Sequence, residues 1–115
     1  MKSSALLATT ASGSCSLQIP VEKVAHGIVS QALLTAPGLR ATLFKFAAGQ
    51  ELSEHTSSAR VLIQVISGQC EFSVDGQPNL LLPGQLFHLP PKAAHAVKAL
   101  DELTLLVIQA MPPKE

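Results

Sequence analysis

Apolar residues in this chain come in short runs, and the best defined runs alternate with polar ones. Gln69 to Val74 alternates residue by residue, the period of a half-buried strand whose successive side chains point to opposite faces. Arg60 to Ser67 is rich in β-branched residues and is closed by Gly68, which reads as a second strand. The same reading gives strands at Ile28 to Thr35, Arg40 to Phe46, Asn79 to Leu82, Gln85 to Leu89, His95 to Leu100 and Leu103 to Gln109. Ala47 to Glu54 carries Gly49 and reads as a loop or a short edge strand. Pro37-Gly38, Asp75-Gly76, Pro83-Gly84, Pro90-Pro91 and Asp101-Glu102 separate the runs, and Asp-Gly between apolar runs is a strong hairpin signal. No stretch holds a helical apolar period for long. Ile19 to Ala25 reads as one helical turn or an N-terminal strand. About eight or nine short, regularly spaced strands predict an all-β sandwich or barrel.

Length and composition sharpen this picture. The 115 residues allow one domain and one core. With 47% hydrophobic and 14% charged residues, the chain can offset the entropy of ordering itself. Lys and Arg number 8, as do Asp and Glu, and there is no Trp or Tyr. A neutral chain without those rings argues against nucleic acid as a partner, and neutrality argues against an anionic membrane surface. No apolar run reaches the roughly 20 residues a membrane span needs. Cys15 and Cys70 are too few for a disulfide scaffold, and Cys70 reads as a small core residue. The first sixteen residues superficially imitate a lipoprotein signal, but Thr9, Thr10 and Ser12 break the apolar stretch. They are expected to form a disordered arm (1–16) on a cytoplasmic protein, with the barrel domain at 17–111 and a fraying tail from Met111.

Two stretches resemble the paired motifs of the cupin superfamily. The first runs from Gly49 to Gly68, where the family has a Gly, a His-x-His, a Glu and a strand-closing Gly; Gly49, His55 and Gly68 match. The second runs from Pro83 to His95, where Gly84, Pro90 and His95 match a Gly, a Pro and a His. The resemblance covers residues from about 39 to 109 and implies a cupin-type jelly-roll barrel with a ligand or metal site in its mouth. In metal-binding cupins the two His and the Glu of the first motif and the His of the second usually hold the ion. Here Ser57 stands at the second His position, Val61 at the Glu position, and Ala99 where an Asn is often found.

The resemblance therefore implies a pocket lined by His55, Ser57, Val61 and His95, with His55 and His95 as the two metal-ligating candidates. A serine hydroxyl is a poor ligand and valine is none, so a divalent ion (zinc, nickel, manganese or iron) would be weakly held. His88 is a further pocket candidate, although strand parity turns it outward if Phe87 and Leu89 face inward. Gln64 meets the same difficulty relative to Val61, and Glu51 and Glu54 fall near the rim. His26 reads as a surface or dimer-edge residue, and Arg40, Lys45 and Lys98 as solvent-facing. Three functions stay open: a small-molecule-binding barrel, with or without a divalent ion; a metal-free acid–base enzyme of isomerase or epimerase type using the pocket histidines; and a non-catalytic ligand-sensing or accessory domain. A homodimer is expected in each case, because small sandwiches cover strand edges by pairing and Leu17 to Thr35 is apolar enough to add a strand to a neighbour.

Overall fold

A computed structural model describes residues 5–18 and 28–112. Nine strands run in chain order: β1 (Val29–Ala36), β2 (Leu39–Phe46), β3 (Glu51–His55), β4 (Arg60–Ser67), β5 (Cys70–Val74), β6 (Gln77–Leu81), β7 (Leu86–Leu89), β8 (His95–Ala99) and β9 (Leu103–Ala110). The described residues contain no helix. All pairings are antiparallel, in a five-stranded sheet of order β1-β2-β9-β4-β7 and a four-stranded sheet of order β3-β8-β5-β6. This is a jelly-roll sandwich, and the strands expected from the apolar pattern are present to within a few residues. The possible helical turn or strand at Ile19 to Ala25, and His26, lie outside the described residues.

Alternation along the strands explains the core. In β4, Val61, Ile63 and Val65 are buried while Leu62 and Gln64 are exposed. In β5, Cys70 and Phe72 are buried and Glu71 is exposed. Together with Leu81, Leu89, Val97, Ala99, Leu103 and Leu105 they form one cluster between the sheets. Each large side chain removed from water here contributes roughly 1.5–3 kcal/mol before ordering costs.

Turn chemistry fixes the registers. Val74 pairs with Gln77, so Asp75 and Gly76 form a two-residue hairpin turn, and both have positive φ (49° and 82°). Gly68 also has positive φ, and a Cβ there would run into the carbonyl oxygen of Glu102; only glycine lets the β4–β5 and β8–β9 turns lie this close.

The N-terminal arm touches the barrel. The Leu6 and Leu7 amides donate to the carbonyls of Ala32 and Leu33 on β1, the outermost strand of its sheet among the described residues, where its pairing with β2 is interrupted by a bulge. Residues 5–18 form no regular element of their own. At the other terminus the expected fraying does not begin at Met111, whose amide donates to the Gly38 carbonyl at 2.9 Å. The bond extends the β9–β2 ladder one step past the strand, before Pro112 removes the next donor.

Candidate functional site

One end of the sandwich is open. The cavity there has a volume of about 310 Å³, near the lower end of small-molecule sites. Its walls come from both sheets and are mostly apolar, with three phenylalanines, Phe44, Phe46 and Phe72, among them. Its polar groups are His55, Ser57, His95 and Gln109.

The two imidazoles are brought together by backbone register. His55 ends β3 and His95 begins β8, and the two residues are direct cross-strand partners. Their ring centroids are 4.1 Å apart with planes inclined at 60°. Between Leu52, which pairs with Val97, and His55, which pairs with His95, β3 spends one residue more than β8. That bulge resets the alternation. Without it Leu52 and Glu54 would share a face; with it Leu52 and His55 both line the cavity, and Glu54 is exposed.

Each ring is held the same way. The Nδ1 of His55 lies 2.9 Å from the carbonyl of Ser53, and the Nδ1 of His95 lies 3.0 Å from that of Ala93. A carbonyl only accepts, so Nδ1 carries the proton in both rings. In the neutral ring Nε2 is then a bare acceptor. Phe72 stacks on His95, with planes 6° apart and centroids 5.9 Å apart. The turn before His95 is pinned by Asp75, whose amide donates to the Ala94 carbonyl and whose carboxylate accepts from the Ala94 amide.

Ser57 lies beyond the end of β3 and still lines the cavity. Its Oγ accepts from the Ala59 amide at 3.1 Å, which leaves the hydroxyl proton for another partner. Its carbonyl accepts from the Lys92 amide, tying the β3–β4 loop to the loop that leads into His95. Val61 stands beside Gln109, its cross-strand partner on β9, on the same wall of the cavity.

Four of the five residues expected from sequence, His55, Ser57, Val61 and His95, therefore share one cavity. His88 does not, and this corrects its assignment to the pocket. It is exposed on the outer face of β7, between inward-facing Phe87 and Leu89, and its Nε2 accepts from Arg60 Nη1 at 2.8 Å. Strand parity decides the matter: β7 is regular, so a residue between two inward neighbours points out. Gln64 is outward for the same reason, and Glu51 is exposed on β3.

The sequence pattern does not single out Gln109 or the wall residues Phe44, Phe46 and Phe72 as part of a site. Leu103, Leu105 and Val107 all face inward, and the same period of two puts Gln109 on the cavity wall at the mouth end of β9. The pattern was readable, but an apolar strand ending in a polar residue looks like an ordinary strand terminus.

The donor set can be compared with the metal that this fold often carries. It offers two imidazole nitrogens, one hydroxyl and one carboxamide, and no carboxylate lines the cavity. Among the described residues no group of three or more His, Cys, Asp or Glu is placed to hold an ion. Catalytic zinc takes three protein ligands plus water, and hard divalent ions prefer anionic oxygen. The residues present do not fit a catalytic metal centre.

The Cupin domain family model matches residues 42–109, well over half of the chain, and the protein belongs to the cupin family. No curated protein matches the chain. Among solved structures it is similar to an RmlC-like cupin protein from Desulfovibrio desulfuricans, at 26% identity over 87% of this chain and 97% of that one, with a TM-score of 0.79. A conserved protein of unknown function from Streptococcus pyogenes matches at 20% identity over 99% and 98% of the two chains, with a TM-score of 0.79. A cupin superfamily protein from Desulfitobacterium hafniense matches at 24% identity over 80% and 84%, with a TM-score of 0.75. At these identities the last two speak for the fold alone.

Proposed function

We propose that this cupin binds a small, mainly apolar molecule in the open end of its barrel, with His55 and His95 as the principal polar contacts. The observation that carries this reading is an apolar cavity of about 310 Å³ lined at its mouth by two neighbouring imidazoles. The volume is about twice that of the engineered cavity of roughly 150 Å³ known to hold benzene, so one- and two-ring compounds are the right size. Calorimetric titration with a panel of such compounds tests it. Binding is expected to the native chain and to be lost in Val61→Phe, which fills the cavity, provided circular dichroism shows that variant folded. A native chain that binds nothing in the panel would end the proposal.

A divalent ion at His55 and His95 is the second reading, favoured by the adjacency of the two rings. Zinc, nickel, manganese or iron would find two nitrogens and would have to complete its coordination with water or with a ligand's own donors. Elemental analysis of untagged protein after dialysis against each ion, compared with His55→Ala, decides this: stoichiometric metal lost in the variant supports it. Acid–base catalysis would fall to the imidazoles alone, since no carboxylate lines the cavity.

The proposal includes a homodimer. On the five-stranded sheet Leu39, Leu62 and Leu86 are exposed (39%, 37% and 65%), and cross-strand register sets Leu62 beside His88 and Ile108 and Leu86 beside Gln64. A sheet with apolar residues on both faces gains by covering the outer one.

A further inference from the structure

The cavity's polar end also has a sign. Both histidines spend their Nδ1 proton on their own backbone, so in the neutral state each offers the cavity an Nε2 lone pair and no proton. Ser57 is complementary, because its oxygen is already engaged by the Ala59 amide and its hydroxyl proton remains to be given. The Gln109 carboxamide carries both a donor and an acceptor. No side chain lining the cavity carries a fixed charge, and the remaining lining residues, Phe44, Phe46, Leu52, Ile63 and Phe72 among them, are apolar.

These groups discriminate among ligands. A carboxylate or phosphate would face two lone pairs and leave its charge unpaired in an apolar cavity. An ammonium would find acceptors but no counter-charge. A hydrocarbon or ether would fill the space and leave the imidazole acceptors unsatisfied once water is displaced. A neutral hydroxyl gives its proton to an imidazole Nε2 and accepts one from Ser57 or Gln109. The three phenylalanines, with the Phe72 ring stacked on His95, favour an aromatic body.

We infer that the ligand is an uncharged, hydroxyl-bearing aromatic molecule of phenol type, bound with its hydroxyl at the His55–His95 pair and its ring among Phe44, Phe46 and Phe72. This rests on the reading of the cavity as a small-molecule site and narrows it to one chemical class.

The test uses four probes of one shape: 2-naphthol, 2-methoxynaphthalene, 2-naphthoate and naphthalene. They are titrated calorimetrically into the full chain in metal-free buffer at pH 8, where imidazoles are neutral as a rule. 2-Naphthol is expected to bind about tenfold tighter than its methyl ether, the worth of one hydrogen bond of ordinary strength, and naphthoate to bind weakest. In His55→Leu/His95→Leu the naphthol-to-ether ratio should fall to about one while naphthalene still binds. His55→Leu alone should lower the ratio by a smaller factor, and this milder variant, at an exposed residue, keeps the test open if the double variant unfolds. Equal binding of naphthol and ether by the native chain, or tightest binding of naphthoate, overturns the assignment of ligand class while leaving a small-molecule site standing. Failure of all four probes, naphthalene included, removes the site reading itself. A preference for naphthol that survives in both variants would also overturn the inference, because the hydroxyl would then be read elsewhere.

Discussion

The two ends of this barrel are built from the same strands and do different things. β8 carries His95 at the mouth and Ala99 at the closed end; β9 carries Gln109 at the mouth and Leu103 at the closed end; β4 carries Val61 at the mouth and Val65 at the closed end. At the closed end Cys70 and Ala99 are fully buried, and Val65 and Leu103 are 2% exposed. At the mouth His55 is exposed, and His95 and Gln109 are half-buried. Alternation along a strand selects which side chains face in. Position along the strand decides whether they meet other side chains or a cavity. The small residues Cys70 and Ala99 are fully buried at the closed end. The imidazoles stand at the mouth, and Phe44 and Phe46, in the rows of Val65 and Leu103, line the inner part of the cavity.

The largest expected effect of this difference between the ends is on stability. Leu103→Ala leaves a hole in the buried core, where Leu103 is 2% exposed. The expected cost is about 2–5 kcal/mol, read from urea unfolding with the slope unchanged. A cost below about 1 kcal/mol would mean that the closed end relaxes as easily as a surface site and that the contrast between the ends is false.

How much of this was legible beforehand follows from the same division. The closed end announces itself in the sequence because burial enforces a strict period, as in Arg60 to Ser67 and Gln69 to Val74, and because Asp75-Gly76 and Gly68 mark turns that few other residues can make. The mouth was legible only in part. His55 and His95 stood out through their resemblance to cupin motifs, and both line the cavity. Their approach depends on a bulge between Leu52 and His55, and no local residue pattern signals it. Simple alternation carried back from His55 would have pointed Leu52 outward. Ser57 reaches the cavity from a loop, where alternation no longer applies. His88 shows the converse, a histidine of the right type on the right strand with the wrong parity.

A second test uses titration at the closed end. Burial pushes the Cys70 thiol up from 9.0 to about 11, because a thiolate there would lose its hydration. The folded state therefore holds its proton more tightly than the unfolded state. This contribution to stability is intact below pH 9 and is lost as pH rises from there through about 11. The expected loss is about 1–2 kcal/mol after allowance for relaxation around the site. The protein has no Tyr, so phenol ionisation does not confuse the same range. The difference between the native chain and Cys70→Ala, followed by urea unfolding from pH 8 to 11, isolates the thiol. The gap between them should narrow with rising pH, and parallel curves would show that the closed end admits solvent.

The smallest expected effect lies at the mouth, and it bears most directly on what the site is for. His55 is exposed, and its only side-chain hydrogen bond among the described residues runs to the carbonyl of Ser53, two residues away. Such a local bond persists in a partly ordered chain and adds little to folding. His55→Leu should therefore change unfolding free energy by no more than about 0.5 kcal/mol in either direction. His95→Leu should cost more, because His95 is half-buried and stacks on Phe72, itself 1% exposed. That ordering follows from depth in the barrel, independently of any ligand. If His55→Leu instead destabilised the chain as strongly as Leu103→Ala, the histidine would be holding the bulge of β3 in place, and its presence at the mouth would be explained by folding. If the small effect is found, the fold gives no reason for an imidazole at this position in preference to an aliphatic side chain. A polar group that contributes nothing to stability, set against a second one at 4.1 Å over an apolar cavity, is then accounted for by what enters that cavity.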